Sequence, residues 1–467
     1  MNPQPDIALG QPGILRRLTA LSELVQPTQS VRLASAAVIG HLVTFVSLPV
    51  ILRIYGPEAF GEYSLILSIG YVLLILATLK LEAVIPTMRH VSLAARLTSG
   101  LFLLSLLVCL AVFPLGLAVH WLTGWTPGHA IPALPVFAIT AGLVLLFGVF
   151  LVMRNWLVRL NALKGAAVMH LMRPVGFVLV AIVFGYMWPD AAPANGLMLL
   201  VATALALLAA ILLGYTYVPL RLRPFLWPTR WRRSWQEMRA NTEFLSAVSF
   251  SQTLDLISRQ IPLWATTALY GAVPAGWVAL AGRLVFLPVM VAGASLAPIV
   301  NRHVSTAYHS KKVLAAQLST YLFVLSLVGA VGFGLIAMSG SWLVDVVFGD
   351  LWAGSAQTLK IYCLYGFAYF LNVTIGFVPI LMRERFYLVL INLLRFLGLC
   401  GMCLVAYAQS VSFETFVFGL VGVETCAYLT GVGYAIYLVR RHDGEVLRAP
   451  NPSKQMLAES KGLSNVG

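Results

Sequence analysis

Between Arg32 and Arg53 the chain carries no formal charge, and the same arrangement of a long apolar run ended by a short polar break recurs almost to the C-terminus. Roughly 20 apolar residues are what an α-helix needs to cross about 30 Å of hydrocarbon. The pattern predicts spans over 31–56, 59–82, 95–120, 132–155, 165–188, 194–218, 242–270, 274–301, 314–339, 354–382, 386–408 and 411–439. The expected fold class is therefore an all-α polytopic membrane protein of about twelve transmembrane helices.

Composition agrees. Of 467 residues 60% are hydrophobic and 10% charged, against about a quarter charged in soluble domains. The excess of Lys+Arg (31) over Asp+Glu (17) raises nucleic acid as a partner. The positions of the charges point away from it. Alternate connections carry Arg16, Arg17 and Arg32; Arg89 and Arg96; Arg154, Arg159, Lys164 and Arg173; six arginines from Arg221 to Arg239; Arg302, Lys311 and Lys312; Arg383 and Arg385; and Arg440 to Lys461. The connections between them, such as "WLTGWTPGHA", hold no Lys or Arg. Positively charged loops stay in the cytoplasm, so both termini are expected inside.

The expected organisation is a cytoplasmic tail over 1–28, a six-helix lobe over 29–218, a basic linker over 219–241, a second lobe over 242–440 and a tail over 441–467. The first tail lacks an apolar core and does not resemble a signal peptide. Cys109, Cys363, Cys400, Cys403 and Cys426 all fall in apolar runs and are expected as packing residues. Neither a metal nor a cofactor is expected.

The division into lobes rests on a repeated turn. Tyr55-Gly56-x4-Gly61 returns as Tyr270-Gly271-x4-Gly276, joining the first two spans of each half, and more loosely as Phe348-Gly349-x4-Gly354. Gly56 is expected to close its helix in the left-handed conformation and Pro57 to start the next. Parallel repeats of this kind build many transporters, with the substrate held between the halves.

"LPVILRIYGPEAFGEYSLILSIGYVLLILATLKLEAVI" (48–85) and "QTLDLISRQIPLWATTALYGAVPAGWVALAGRL" (252–284) resemble the opening hairpins of the two lobes in the Wzx-type polysaccharide flippases. These form the polysaccharide-transport branch of the MOP superfamily, which also holds the MATE exporters and lipid II flippases. Val278 departs from the pattern, standing where the first hairpin has Tyr63. The resemblance implies a two-lobe, MATE-like fold that moves an undecaprenyl-diphosphate-linked oligosaccharide from the cytoplasmic to the outer leaflet by alternating access. The bilayer is then a partner, and a polysaccharide polymerase or other assembly proteins are candidate partners.

The cations left over are Arg53, Lys80, Arg259, Arg283, Lys360 and Arg395. An ionised side chain within a span is costly unless it is paired or faces water. Lys80, with Glu82, and Lys360 lie within snorkelling reach of an interface and are secondary candidates. Arg259 lies roughly 18 Å from the Gly271 turn, Arg283 roughly 10 Å from Gly276, and Arg395 at roughly mid-depth. Asp255 shares a helix face with Arg259 and Glu424 can pair with Arg395, yet these acids are too few to neutralise all the arginines. Arg53, Arg259, Arg283 and Arg395 are therefore the expected diphosphate-binding residues, since guanidinium matches phosphoryl oxygens bidentately at any depth. Asp255 is a candidate counter-charge or ion-coupling site, and His41 a second proton-site candidate. Trp121, Trp125, Trp188, Trp277, Trp342 and Trp352 fall at external span ends, where headgroup contact is expected. "WPTRWRRSW" (227–235) is expected to lie on anionic lipid.

Competing readings are a MATE-like antiporter of organic cations, which would want acidic rather than basic cavity residues, and a non-transporting component of the glycan assembly machinery. No catalytic motif is present in the sequence, so the chain is not expected to be an enzyme.

Overall fold

The computed structural model describes residues 29–126, 132–190, 195–226, 231–240 and 247–448. The first bundle comprises α1 (Gln29–Ile54), α2 (Pro57–Thr78), α3 (Val91–Thr123), α4 (Ala133–Arg159), α5 (Leu163–Met187) and α6 (Gly196–Thr216). A short amphipathic α7 (Trp231–Ala240) follows. The second bundle comprises α8 (Ala247–Tyr270), α9 (Ala272–Ser295), α10 (Ala297–His309), α11 (Ala315–Leu343), α12 (Ser355–Ile375), α13 (Val378–Leu381), α14 (Arg385–Gln409) and α15 (Phe413–Arg448). Within the bundles the main packing partners are α5 with α6 and α1, α3 with α4, α9 with α12, α12 with α11 and α15, and α14 with α8.

Among the described residues ten helices are long and apolar enough to cross a membrane. The two remaining long helices are α1 and α8. Gln252, Asp255, Arg259 and Gln260 make α8 too polar for a lipid-facing span, and that polarity has a use, because α8 lines the space between the bundles. The fold is an all-helical membrane protein of two bundles and about twelve spans.

The repeated turn is repeated in three dimensions. The Tyr55 hydroxyl donates to the Ala181 carbonyl on α5 at 2.9 Å, and the Tyr270 hydroxyl to the Val411 carbonyl, just beyond the end of α14, at 2.7 Å. Each turn is thereby tied to the fifth span of its own bundle. The left-handed conformation expected at Gly56 is not found: Gly56 is extended, with φ −70° and ψ 172°, whereas the glycines at the same place in the other copies, Gly271 and Gly349, have φ of 92° and 89°. Pro57 is the reason. The residue before a proline is driven to extended conformations, and Pro57 opens α2 at its first position.

At this end the bundles meet without room for side chains. A Cβ on Gly61 would overlap the carbonyl oxygen of Ala272, and one on Gly276 that of Pro57, so α2 and α9 cross backbone against backbone. Trp352 is fully buried here and donates its indole N–H to the Leu52 carbonyl across the seam at 2.8 Å. It is thus a wedge between bundles rather than a headgroup anchor, unlike Trp121 and Trp342, which are exposed. Arg53 donates to the carbonyls of Val346 and Val347, in a π-helical turn that ends α11's extension.

The opposite end is arginine-rich. There α7 rests on the start of α3, Ser234 bonding Ser99 at 3.1 Å, and leaves Arg232 and Arg233 exposed. The span expected over 59–82 is shorter than its apolar run: α2 stops at Thr78, and Leu79 and Lys80 turn the chain in the left-handed region with φ of 50° and 55°.

Candidate functional site

A cavity lies between the bundles. It has a volume of about 520 Å³ and is walled by α1, α2, α5 and α6 on one side and α8, α9, α12 and α15 on the other. A second pocket of about 410 Å³ adjoins it toward the arginine-rich end, sharing Tyr71 and Arg259.

The main cavity holds three cations, Arg173, Arg259 and Arg283, and one acid, Glu424. Arg283 stands over the faces of Phe60 and Tyr63, its Cζ 4.4 and 5.5 Å from the ring centroids. Arg173 lies 5.9 Å from the rings of Phe147 and Phe150. Neither forms an ion pair among the described residues. The aromatic faces attract both guanidiniums by cation–π interaction.

Arg259 is different. Its Nη2 is 2.8 Å from Asp255 Oδ2 and its Nη1 donates to the Tyr369 hydroxyl at 2.8 Å. Asp255 gives its other oxygen to Arg395 Nη1 at 2.6 Å, and Arg395 grips Glu424 through Nε at 2.7 Å and Nη2 at 2.9 Å. The side chain of Arg395 is only 2% exposed and that of Arg259 33%. Arg395 is therefore internal to the second bundle, tying α8, α14 and α15 together, while Arg259 forms part of the cavity wall. With Glu424 already neutralised, the free charge of the cavity is positive.

The remaining candidates fall elsewhere. Arg53 is at the seam described above, outside the cavity. Lys80, Glu82 and Asp255 line the second pocket, and burial draws the Lys80 ammonium below the usual lysine range against the opposing pull of Glu82 and Asp255. Lys360 is exposed on α12 beside Gly340. His41 is on α1, its side chain outside the described residues. Among the described residues no cluster of three or more His, Cys, Asp or Glu is placed to hold a metal.

Arg173 is the residue that sequence reasoning misplaced. Alternating loop charges assigned it to a connection, but it lies ten residues into α5, roughly 15 Å from its start, and lines the cavity. Its depth in an apolar run, like that of Arg283, is the signal that marks it.

Two helical bundles enclosing a charged cavity define a transporter-type membrane fold. Residues 30–302 match the model of the family described as polysaccharide biosynthesis protein, and the chain belongs to that family. Its fold is similar to that of the lipid II flippase MurJ in an inward closed conformation, with TM-score 0.63, 9% identity and coverage of 89% of this chain and 90% of that one. It is also similar to an inward-facing multidrug resistance MATE family transporter of the MOP superfamily, with TM-score 0.55, 14% identity and coverage of 94% and 99%. A third likeness is to a MOP superfamily transporter from Pyrococcus furiosus, with TM-score 0.50, 14% identity and coverage of 89% and 96%. No curated protein matches the chain significantly.

Proposed function

We propose that this protein is a flippase that carries an undecaprenyl-diphosphate-linked oligosaccharide from the cytoplasmic to the outer leaflet of a bacterial inner membrane, for surface polysaccharide or lipopolysaccharide biosynthesis. The observation that carries the reading is the pair Arg173 and Arg283, two guanidiniums without acid partners among the described residues, one from each bundle, lining the cavity of a polysaccharide biosynthesis family member. A diphosphate supplies clustered anionic oxygens that guanidinium binds bidentately. The attraction grows where water is sparse, and a positive cavity repels the organic cations that a drug antiporter would carry.

On this reading the arginine-rich end faces the cytoplasm with both termini, and the Gly61–Gly276 crossing shuts the external side. The headgroup enters past Lys80 and Arg259 and settles against Arg283 and Arg173. Separation of α2 from α9, with closure of the opposite end, then releases it outside. The chain's work is binding and rearrangement, with no covalent step.

The test is made in the native host, with the gene deleted and restored as wild type, Arg173→Ala or Arg283→Ala at matched protein levels. Diphosphate-linked saccharide intermediates and surface polysaccharide are quantified. Accumulation of intermediates on deletion, cleared by wild type and not by the arginine variants, is the expected result. Unchanged intermediates and polysaccharide on deletion would remove the proposal.

A further inference from the structure

The network of Asp255, Arg259, Arg395 and Glu424 contains two acids and two arginines, yet only one member is free to leave it. Arg395 is enclosed, with Glu424 on two of its nitrogens and Asp255 on a third. Arg259 is held by one oxygen of Asp255 and by the Tyr369 hydroxyl, its Cζ 5.1 Å from the Tyr369 ring centroid. Its Nε finds no acceptor among the described residues. Among the described residues it is also the only cation shared by the walls of the main cavity and the second pocket, so a ligand moving between these spaces passes it.

We propose that Asp255 is an internal stand-in for a phosphoryl group: its carboxylate occupies Arg259 while the cavity is empty, an arriving diphosphate displaces it, and Arg395 makes the exchange possible by keeping Asp255 neutralised afterwards. The proposal rests on the reading of the cavity as a diphosphate site. Taking Arg259 away from an acid that had no other partner would leave a lone carboxylate among apolar helices, which is expensive. Because Asp255 Oδ1 already lies 2.6 Å from Arg395, no such charge is stranded. The same geometry accounts for a guanidinium as deep as Arg395 that touches no part of the cavity. It also gives Asp255 a role other than ion coupling, since guanidiniums occupy both carboxylate oxygens. Asp255 and Arg395 are positioning residues for Arg259, the group that meets the ligand.

The exchange predicts a gain of affinity from loss of a charge. The purified full-length protein in lipid nanodiscs is titrated calorimetrically with inorganic pyrophosphate and, separately, with a polyprenyl diphosphate. Arg259→Ala and Arg283→Ala are expected to abolish binding. Asp255→Asn, which removes the competing carboxylate charge and keeps the side chain's shape, is expected to tighten binding about fivefold, the scale of one partly exposed ion pair. Arg395→Gln is expected to weaken it by at least as much, because Asp255 then claims Arg259 alone, and Asp255→Asn in the Arg395→Gln background is expected to restore it. A purely structural role for Asp255 predicts only losses. Binding that depends on Arg283 but is unchanged or weaker in Asp255→Asn overturns the exchange and leaves the diphosphate reading standing. Absence of any arginine-dependent binding in the wild type overturns both. Tightening seen with the polyprenyl diphosphate assigns the exchange to a lipid headgroup. Tightening confined to inorganic pyrophosphate keeps the exchange and makes the ligand a soluble anion. Should Arg395→Gln fail to fold, the Asp255→Asn comparison decides alone.

Discussion

Gly61 on α2 and Gly276 on α9 are each other's neighbours across the bundle seam: a Cβ on Gly61 would lie 2.9 Å from the Gly276 nitrogen and overlap the Ala272 carbonyl. Each glycine belongs to one copy of the repeated turn, so the repeat forms the contact between its own two copies. Backbone cannot yield as a flexible side chain can. Gly61→Ala or Gly276→Ala is therefore expected to push the helices apart at this end and weaken the seam by about 1–3 kcal/mol. A cysteine at Ser64, which lines the cavity, in a background with the five native cysteines replaced, reports the change. Its labelling by a membrane-impermeant thiol reagent from the glycine-turn side should rise severalfold in either variant. Unchanged labelling would show that the crossing tolerates a methyl group and does not control access.

Arg53 and Trp352 lock the same seam from opposite bundles. Both donate N–H groups to backbone carbonyls, Arg53 to Val346 and Val347 and Trp352 to Leu52, and Phe60 meets the Trp352 ring edge-on at 5.7 Å. Trp352→Phe keeps most of the packing and leaves the buried Leu52 carbonyl without this donor, a loss of about 1–3 kcal/mol. Arg53→Ala removes two bonds at an exposed position and should have a smaller effect on melting temperature. Because the two residues share one seam, their effects on Ser64→Cys labelling should be non-additive. Additive effects would mean that they act on separate equilibria.

The spans were legible because hydrocarbon thickness dictates their length. The start of α9 falls within two residues of its expected position, and α14 within one residue at each end. Depth also drew attention to Arg259 and Arg283. What a sequence does not display is which helices touch. The Glu424–Arg395 pair was expected and is present, but that Arg395 also meets Asp255 on α8, 140 positions away, was not legible, and its depth alone looks the same as that of Arg259. The partners of Arg53 are backbone carbonyls, which every residue has and no composition reveals. Trp352 has the position of an interfacial tryptophan but sits at a bundle seam that only the folded chain creates. Arg173 was missed because charge alternation, a rule about connections, took precedence over its place within an apolar run.

Asp443 shows how far α15 reaches beyond its apolar portion. Its carboxylate accepts the backbone N–H groups of Leu314 and Ala315 at 2.8 and 2.7 Å, closing the N-terminus of α11 from another helix. Two otherwise orphaned donors and the positive end of the helix dipole are satisfied by one buried carboxylate. Asp443→Ala should lower stability by about 1–2 kcal/mol, seen as a lower melting temperature of the purified protein. Asp443→Asn, which keeps an acceptor oxygen and loses the charge, should fall between. Since the cap lies outside both cavities, binding of pyrophosphate measured well below the melting point should be unaffected. A loss of binding there would couple the α11 terminus to the site.

Arg283 and Arg395 are both deep arginines, and their substitutions should separate cleanly by readout. Arg283 is held by aromatic faces and, among the described residues, by no acid, so Arg283→Ala strands no counter-charge: the protein should melt near the wild-type temperature and lose pyrophosphate binding at least tenfold, about 1.4 kcal/mol or more of ligand interaction. Arg283→Lys retains the charge but not the planar fork that stacks on Phe60 and Tyr63, and should recover only part of the binding. Arg395→Ala leaves Glu424 buried without its bidentate partner and should destabilise the protein by about 3–5 kcal/mol. Arg395→Ala together with Glu424→Gln should regain much of that loss, because the stranded charge is gone. If instead Arg283→Ala melts early while Arg395→Ala keeps its stability and loses only binding, the division into a ligand-facing arginine and a structural one is reversed, and the cavity wall has been drawn on the wrong side of α14.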